Sequence, residues 1–135
     1  MYCELLKENA MKIGHNVLKH EGVILEHHLC GFAEPVIDDI IDTGATIWST
    51  AQAVNNIQAI QKRVGDRLMI DGGWDSYGPH NFPGASEETV RKESRRCLDS
   101  YFNGGFYQCM PVMIGKEDDP DFINRCNWAA DELHN

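Results

Sequence analysis

Short apolar runs alternate along the chain with longer segments in which apolar residues recur at helical spacing. The short runs have the length and composition of buried strands, and they lie at residues 23–25, 46–48, 68–70 and 106–109. The longer segments repeat apolar residues every three or four positions, and they cover residues 3–20, 34–43, 51–64, 86–103 and 121–133. The pattern therefore predicts one helix followed by four strand–helix units.

Residues with strong turn or capping preferences mark the ends of the predicted helices. Single glycines follow the first three helices, and Gly104-Gly105 follows the fourth, where a helix commonly ends. Ser86 is placed to cap the fourth helix, and Pro120 to begin the last one. The long stretch between the third strand and Ser86 is rich in Gly, Pro, Asn and Asp, which predicts a loop.

Strands that alternate with helices predict an α/β fold with a parallel sheet and right-handed crossovers. An open doubly wound sheet is one form of this fold, but no predicted strand is followed by the phosphate-binding pattern G-x-G-x-x-G. The other form is an eight-unit barrel of the TIM type, which takes about 250 residues. Because the chain has 135 residues, we predict a single domain over 1–135 that is half of such a barrel.

Composition and charge exclude several classes of function. The chain is 42% hydrophobic and 24% charged, as expected for a globular protein, and its net charge is −9. It has no basic run, so we expect no nucleic-acid partner. It has no apolar run of the about 18 residues that a membrane span needs.

The cysteines and the first residues suggest a compartment. The five cysteines are an odd number, and the first residues are too polar for a secretory signal peptide. We therefore expect reduced thiols and a cytoplasmic protein. The simplest interpretation of a single thiol is a small buried hydrophobe, and this applies best to Cys97, which lies on the apolar side of the fourth helix.

Reactive or small polar residues follow each predicted strand. In barrels the carboxyl ends of the strands carry the active site. Here those ends are occupied by the segments 26–30, 49–52 and 71–75 and by Cys109. All four strands thus deliver polar groups to the same end of the sheet.

Two of these residues have the spacing of metal ligands. His28 and Cys30 are two positions apart, so an extended backbone places both side chains on one side, and zinc binds such nitrogen and sulfur donors. Cys109, at a later strand end, is the candidate third ligand, which would leave one position open as in catalytic zinc sites. A hydrogen-bonded histidine and a buried thiol are the alternative.

Other polar residues at the same strand ends are candidates for chemistry and for binding substrate. Glu26 has the same parity as His28, and we predict it and Asp71 to be the catalytic carboxylates. The candidate substrate-binding residues are Gln52, Asn56 and Asp75. The alternative for each of them is a structural or solvated polar residue. Trp74 and Tyr77 either cover a flat substrate or pack against the protein.

The order and spacing of several segments resemble the C-terminal half of the uroporphyrinogen decarboxylase superfamily, over about residues 10–115. The segments that carry the resemblance are 28–31, 40–45, Gln52, 55–56, 62–66, 72–73, 86–91 and 104–106. The His-x-Cys-Gly segment with a distant cysteine is similar to the cobalamin-dependent methyltransferase branch of that superfamily.

This resemblance implies a barrel enzyme that uses zinc to move a methyl group between a corrinoid protein and a small thiol or methoxylated compound. It maps the zinc ligands of that branch onto His28, Cys30 and Cys109, although the residues around Cys109 differ from the expected glycine-rich surroundings. It also implies that the chain corresponds to a C-terminal fragment, a split subunit or a truncated paralogue. A metal-free decarboxylase-like protein and a non-catalytic subunit remain alternatives.

We predict that the isolated chain associates with itself or with an N-terminal half-barrel chain. Half of a barrel leaves two sheet edges unpaired and one apolar face uncovered, and such surfaces promote association. Light scattering over a range of concentrations should therefore show a mass that rises with concentration. A monomer at every concentration would contradict this prediction.

Overall fold

The computed structural model describes residues 6–102, 106–115 and 119–134. Helices and strands alternate through it in the order α1 (Lys7–Val17), β1 (Glu26–His28), α2 (Ile37–Asp42), β2 (Ile47–Ala51), α3 (Ile57–Val64), β3 (Met69–Gly72), α4 (Glu87–Tyr101), β4 (Tyr107–Gln108) and α5 (Pro120–His134). Short 3-10 turns at Glu34–Val36, Gly65–Arg67 and Pro79–Asn81 complete the elements.

The four strands form one parallel sheet in the order β1-β2-β3-β4. Each strand therefore lies beside the next one along the chain, with a helical connection between them. This confirms the predicted α/β class and is consistent with half of a (βα) barrel, in which successive strands are neighbours.

The two faces of the sheet have different character because side chains alternate along a strand. His27, Trp48, Ile70 and Tyr107 are paired across the four strands on the face that the helices cover, and Trp48 and Ile70 are fully buried there. On the opposite side, which we call the inner face, the next pairs form one row of polar residues: His28, Ser49, Asp71 and Gln108. Glu26 lies on the same inner face, two residues before His28.

The hydrophobic core fills the space between the sheet and the helices. Its helical members come from all the helices after α1, and they are Ile37, Ile40, Ile57, Ile60, Val64, Val90, Cys97, Tyr101 and Ala129. Burying an isoleucine or leucine side chain contributes about 1.5–3 kcal/mol each, so this layer is what fixes the helices on the sheet. Cys97 is 0% exposed, which confirms its predicted burial.

The predicted first strand at 23–25 was placed too early. Val23 and Ile24 of that run are exposed, Ile24 by 72%, and the strand occupies Glu26–His28 instead. Pairing explains the difference, because among the described strands β1 has only β2 as a neighbour, and their paired positions begin at Glu26 and Ile47. The acidic and imidazole groups are therefore part of the strand, not of a loop after it.

The predicted helix over 51–64 was also wrong at its beginning. β2 continues through the polar Ser49 and Thr50 to Ala51, and α3 begins only at Ile57. The cause lies in Asn56, whose side-chain oxygen accepts a hydrogen bond from Ala59 N at 3.1 Å and so caps the helix. The remaining predicted boundaries differ by a few residues, and positions 3–5 and 103–105 lie outside the described residues.

Two features of the described chain leave surface without a partner. Within the described ranges, β1 and β4 each pair on one side only. Several large apolar side chains are also more than one-third exposed, including Leu6, Ile13, Val23, Ile24, Phe32 and Ile123. Both features are of the kind that association with another chain removes. No described helix is at once long enough and apolar enough to serve as a membrane span.

Helix α1 is held against the end of α2 at a close backbone contact, and this generates a stability prediction. A Cβ on Gly14 would lie 2.2 Å from the carbonyl oxygen of Thr43. Alanine normally improves a helix by about 1 kcal/mol relative to glycine, but relief of this clash requires the helix to move, at a cost of about 1–3 kcal/mol. We expect Gly14→Ala to lower the urea midpoint of unfolding.

The matched control is Asn9→Ala, which places alanine at an exposed position of the same helix. The higher helix propensity of alanine is not opposed by a clash at this position. The urea midpoint of unfolding of Asn9→Ala should therefore equal or exceed that of the wild type. A Gly14→Ala variant as stable as Asn9→Ala would show that α1 is not closely packed.

Candidate functional site

A histidine, a thiol and a hydroxyl meet at the carboxyl end of β1 and β2. His28 Nε2 lies 3.5 Å from Cys30 Sγ, and Thr50 Oγ1 lies 3.0 Å from that sulfur and 3.5 Å from the same imidazole nitrogen. His28 and Cys30 are both exposed. The structure therefore brings together the predicted His-x-Cys pair and adds Thr50, which sequence reasoning did not single out.

The loop after Cys30 is held by two side-chain amides from the β2–α3 connection. Gly31 turns with φ +84°, and its N–H donates to Gln52 Oε1 at 2.9 Å. The buried Asn55 donates from Nδ2 to the Gly31 carbonyl at 2.8 Å and accepts from Ala33 N at 2.8 Å. Gln52, predicted to bind substrate, thus positions the Cys30 loop.

Sequence reasoning missed the role of Asn55. Asn55 and Asn56 are adjacent amides in one polar stretch, and the sequence does not show which of them is buried. The structure separates them, because Asn55 is inside and Asn56 caps α3 at the surface. Asn56 N also donates to Glu34 Oε1 at 2.6 Å. The substrate-binding role of Asn56 stays a prediction, and the contact observed for its side chain is the helix cap.

The two predicted catalytic carboxylates lie near one another on the inner face. Glu26 accepts a hydrogen bond from the Ser49 hydroxyl, whose oxygen is also 3.3 Å from His28 Nδ1. Asp71 is only 7% exposed, and its Oδ1 has no hydrogen-bond partner among the described residues. Burial, with a smaller contribution from the negative charge of Glu26, raises the pKa of Asp71 above its usual range.

Cys109 lies near Cys97, not at the His28–Cys30 pair. The neighbouring Cys97 thiol lowers the pKa of Cys109, although burial of Cys109 acts in the opposite direction. The neighbouring Cys109 thiol, with burial, raises the pKa of Cys97. In the described ranges no three His, Cys, Asp or Glu side chains are grouped so that they could hold a metal ion. The structure thus brings His28 and Cys30 together but does not bring Cys109 to them.

Asp75 and the two aromatic residues of the long loop have structural contacts. Asp75 Oδ1 accepts from Tyr77 N at 3.0 Å, and the Asp75 carbonyl accepts from His80 Nε2 at 2.7 Å. Trp74 is buried and donates to Asn81 Oδ1, so it packs in the protein. Tyr77 is 87% exposed. The substrate-binding role of Asp75 remains a prediction.

A small cavity lies beside the thiol of Cys30. Its volume is about 80 Å³, and its walls include Cys30, Thr50, Gln52, Trp74, Met110 and Val112. Met110 reaches this cavity, whereas its neighbour Cys109 lines a separate groove along α5. The backbone after β4 therefore presents a thioether, not a thiol, to the His28–Cys30 side of the sheet.

Comparison with solved structures places this fold beside a methyltransferase from Methanosarcina mazei. The two chains superpose with a TM-score of 0.68 at 18% sequence identity, over 99% of this chain and 37% of that chain. At this level of identity the likeness concerns the fold, and the present chain spans little more than one-third of the length of that protein. No family model matches the sequence, and the curated proteins compared with it give no match.

The buried carboxyl of Asp71 generates a pH prediction. Because its pKa is raised in the folded state, the folded chain holds this proton more tightly than the unfolded chain. The buried Asp71 carboxyl therefore does not lower the free energy of unfolding at low pH. It lowers that free energy progressively more as the pH rises above the usual Asp pKa of about 3.9. We expect Asp71→Asn to be more stable than the wild type at pH 7 and to lose less stability between about pH 4 and pH 7.

Urea unfolding at a series of pH values measures this difference. Asp66→Asn removes the same charge at an exposed position and controls for the change in net charge. If Asp71→Asn and Asp66→Asn gave the same pH dependence, burial of the Asp71 carboxyl would not be affecting stability.

Proposed function

We propose that this chain is part of a zinc-dependent methyltransferase that moves a methyl group between a corrinoid protein and a small thiol or methoxylated substrate. The observation that carries the proposal is the convergence of His28 Nε2, Cys30 Sγ and Thr50 Oγ1 at the carboxyl end of the sheet. The fold that it shares with a methyltransferase supports the reaction class. The resemblance of the His-x-Cys-Gly segment to the corrinoid branch of the uroporphyrinogen decarboxylase superfamily supports the finer assignment.

The chemistry of the donors fits zinc at two positions. Imidazole nitrogen and thiolate sulfur are ligands that zinc prefers, and His28 and Cys30 present one of each side by side. Cys109, the third ligand that the resemblance implies, is a free cysteine that lines a separate groove along α5, so its side chain would have to move to join the pair. A zinc ion held by these residues would keep a substrate thiol deprotonated or polarise an ether oxygen.

The surrounding residues suit the handling of a small substrate and its proton. Asp71, with its raised pKa, retains a proton to higher pH than an exposed aspartate and faces the same side of the sheet as His28. We therefore propose that Asp71 exchanges the substrate proton while Glu26 orients His28. We propose that Gln52, Asn56 and Asp75 border the substrate in addition to their structural contacts.

The proposed partners follow from the open surfaces and from the reaction. We propose that a corrinoid protein carries the second methyl site, as the resemblance to the corrinoid-dependent branch implies. The unpaired edges of β1 and β4 support pairing with an N-terminal half-barrel chain or with a second copy. The same edges equally favour a non-catalytic subunit, which is the second candidate function.

Metal content separates these two functions. We expect anaerobically purified wild-type protein to hold about one zinc per chain, as a single catalytic site would. Cys30→Ser should remove most of it because the thiolate ligand is lost, and Cys109→Ser should weaken it if Cys109 is the third ligand. Plasma mass spectrometry gives the zinc-to-protein ratio directly.

Cys126→Ser is the matched control, since it removes an exposed thiol on α5 that is not one of the proposed zinc ligands. Its zinc content should equal that of the wild type. Wild-type protein without zinc, alone and with added zinc, would contradict the enzyme proposal and favour the non-catalytic subunit. With zinc present, transfer from a methylated corrinoid to a thiol is measured next.

A further inference from the structure

Ser49 occupies the point where the carboxylate of Glu26 and the imidazole of His28 meet. It is fully buried in the inner-face row, although both of its partners are exposed. Its oxygen contacts Glu26 Oε1 and lies 3.3 Å from His28 Nδ1. The direction in which its single hydroxyl proton points decides which nitrogen of His28 carries hydrogen.

We propose that Ser49 is a positioning residue that links Glu26 to His28 and fixes the imidazole as its Nδ1–H tautomer. A carboxylate only accepts hydrogen bonds, and bonds to a charged acceptor are stronger than neutral ones. The Ser49 hydroxyl therefore donates to Glu26, and its oxygen remains free only to accept. His28 Nδ1 must then be the donor to Ser49, which leaves the lone pair of Nε2 unprotonated.

This tautomer directs the free lone pair to the thiol. Nε2 is the nitrogen 3.5 Å from Cys30 Sγ and from Thr50 Oγ1, both of which are able to donate to it. A histidine that binds a metal through Nε2 needs this arrangement, and its other nitrogen is usually held by a carboxylate or another acceptor. The hydrogen-bonded link from Glu26 through Ser49 to His28 thus leaves Nε2, the atom that would bind the metal, unprotonated. It does so from the Nδ1 side of the ring, without contacting Nε2.

This proposal rests on the proposed function, because an unprotonated Nε2 affects metal binding only if His28 is a metal ligand. The tautomer of His28 can nevertheless be measured without metal. Imidazole-labelled protein is treated with a chelator and held at about pH 8, where solvated histidine is neutral. Two-bond proton–nitrogen correlation spectra then distinguish the two tautomers, and a His28→Gln spectrum assigns the signal. Solvated histidine favours Nε2–H, so a dominant Nδ1–H form at His28 is diagnostic.

We expect the wild type to show mainly the Nδ1–H form of His28. Ser49→Ala removes the acceptor of that proton and should shift the ratio of the two tautomers toward Nε2–H by about two- to tenfold, the range expected for loss of one hydrogen bond. Glu26→Gln should shift it in the same direction, because an amide can donate to Ser49 and release the hydroxyl to point at Nδ1. This second variant keeps the Ser49 side chain and so tests the link if Ser49→Ala does not fold.

Thr50→Val is the matched control, since it removes a hydroxyl that contacts the other nitrogen of the same imidazole. It should leave Nδ1 protonated. A wild-type His28 in the Nε2–H form, or equal tautomer ratios in wild type and in both test variants, would overturn the proposal.

Zinc affinity, measured by competition with a chromogenic chelator, separates this proposal from the proposed function. Loss of a residue that orients a ligand typically weakens metal binding about 10- to 100-fold, so we expect that loss in Ser49→Ala. Wild-type protein that binds no zinc would overturn the proposed function, and the tautomer ratios alone would then decide whether Ser49 positions His28.

Discussion

The candidate site depends on the register of one parallel sheet. Pairing of His28 with Ser49, of Ser49 with Asp71 and of Asp71 with Gln108 places four polar side chains in a single row. Trp48 and Ile70, which come just before Ser49 and Asp71, point to the opposite face and are buried under the helices. Because side chains alternate, a slip of one residue would exchange the two sets and destroy the core and the site together.

The segment beside this row is held by hydrogen bonds between side chains and the backbone more than by ion pairs. Gln52 and Asn55 hold the loop at Gly31, and Trp48 Nε1 donates to the Leu29 carbonyl at 3.0 Å. These bonds fix the segment between His28 and Gly31 from two sides. The pair of possible metal ligands is thereby supported before any metal binds, which is the condition that an effective site requires.

The inner face of the sheet is open, and this is a reason for a second chain to cover it. The chain superposes on 37% of a methyltransferase, and the described sheet ends in an unpaired strand on each side. Glu26, His28 and Cys30 are exposed as a result. Exclusion of water strengthens electrostatic interactions in an active site, so the proposed reaction gains from a second chain over this face. Cys109, after β4, lines a separate groove along α5 and does not reach this face.

The order of strands and helices, the α/β class and the burial of Cys97 followed from the sequence, because each depends on local periodicity and on apolar residues in repeated positions. The pairing of His28 with Cys30 followed as well, since residues two apart in an extended segment share a side. The predicted ends of the strands were less accurate where strand pairing determines them. β1 begins at Glu26, and not at the apolar residues 23–25, because the paired part of β2 begins opposite Glu26. Long-range contacts were beyond the sequence. Only the tertiary structure joined Ser49 to Glu26 and His28, buried Asn55 but not Asn56, and placed Cys109 in a different groove from Cys30, because each of these depends on which neighbouring element a side chain meets.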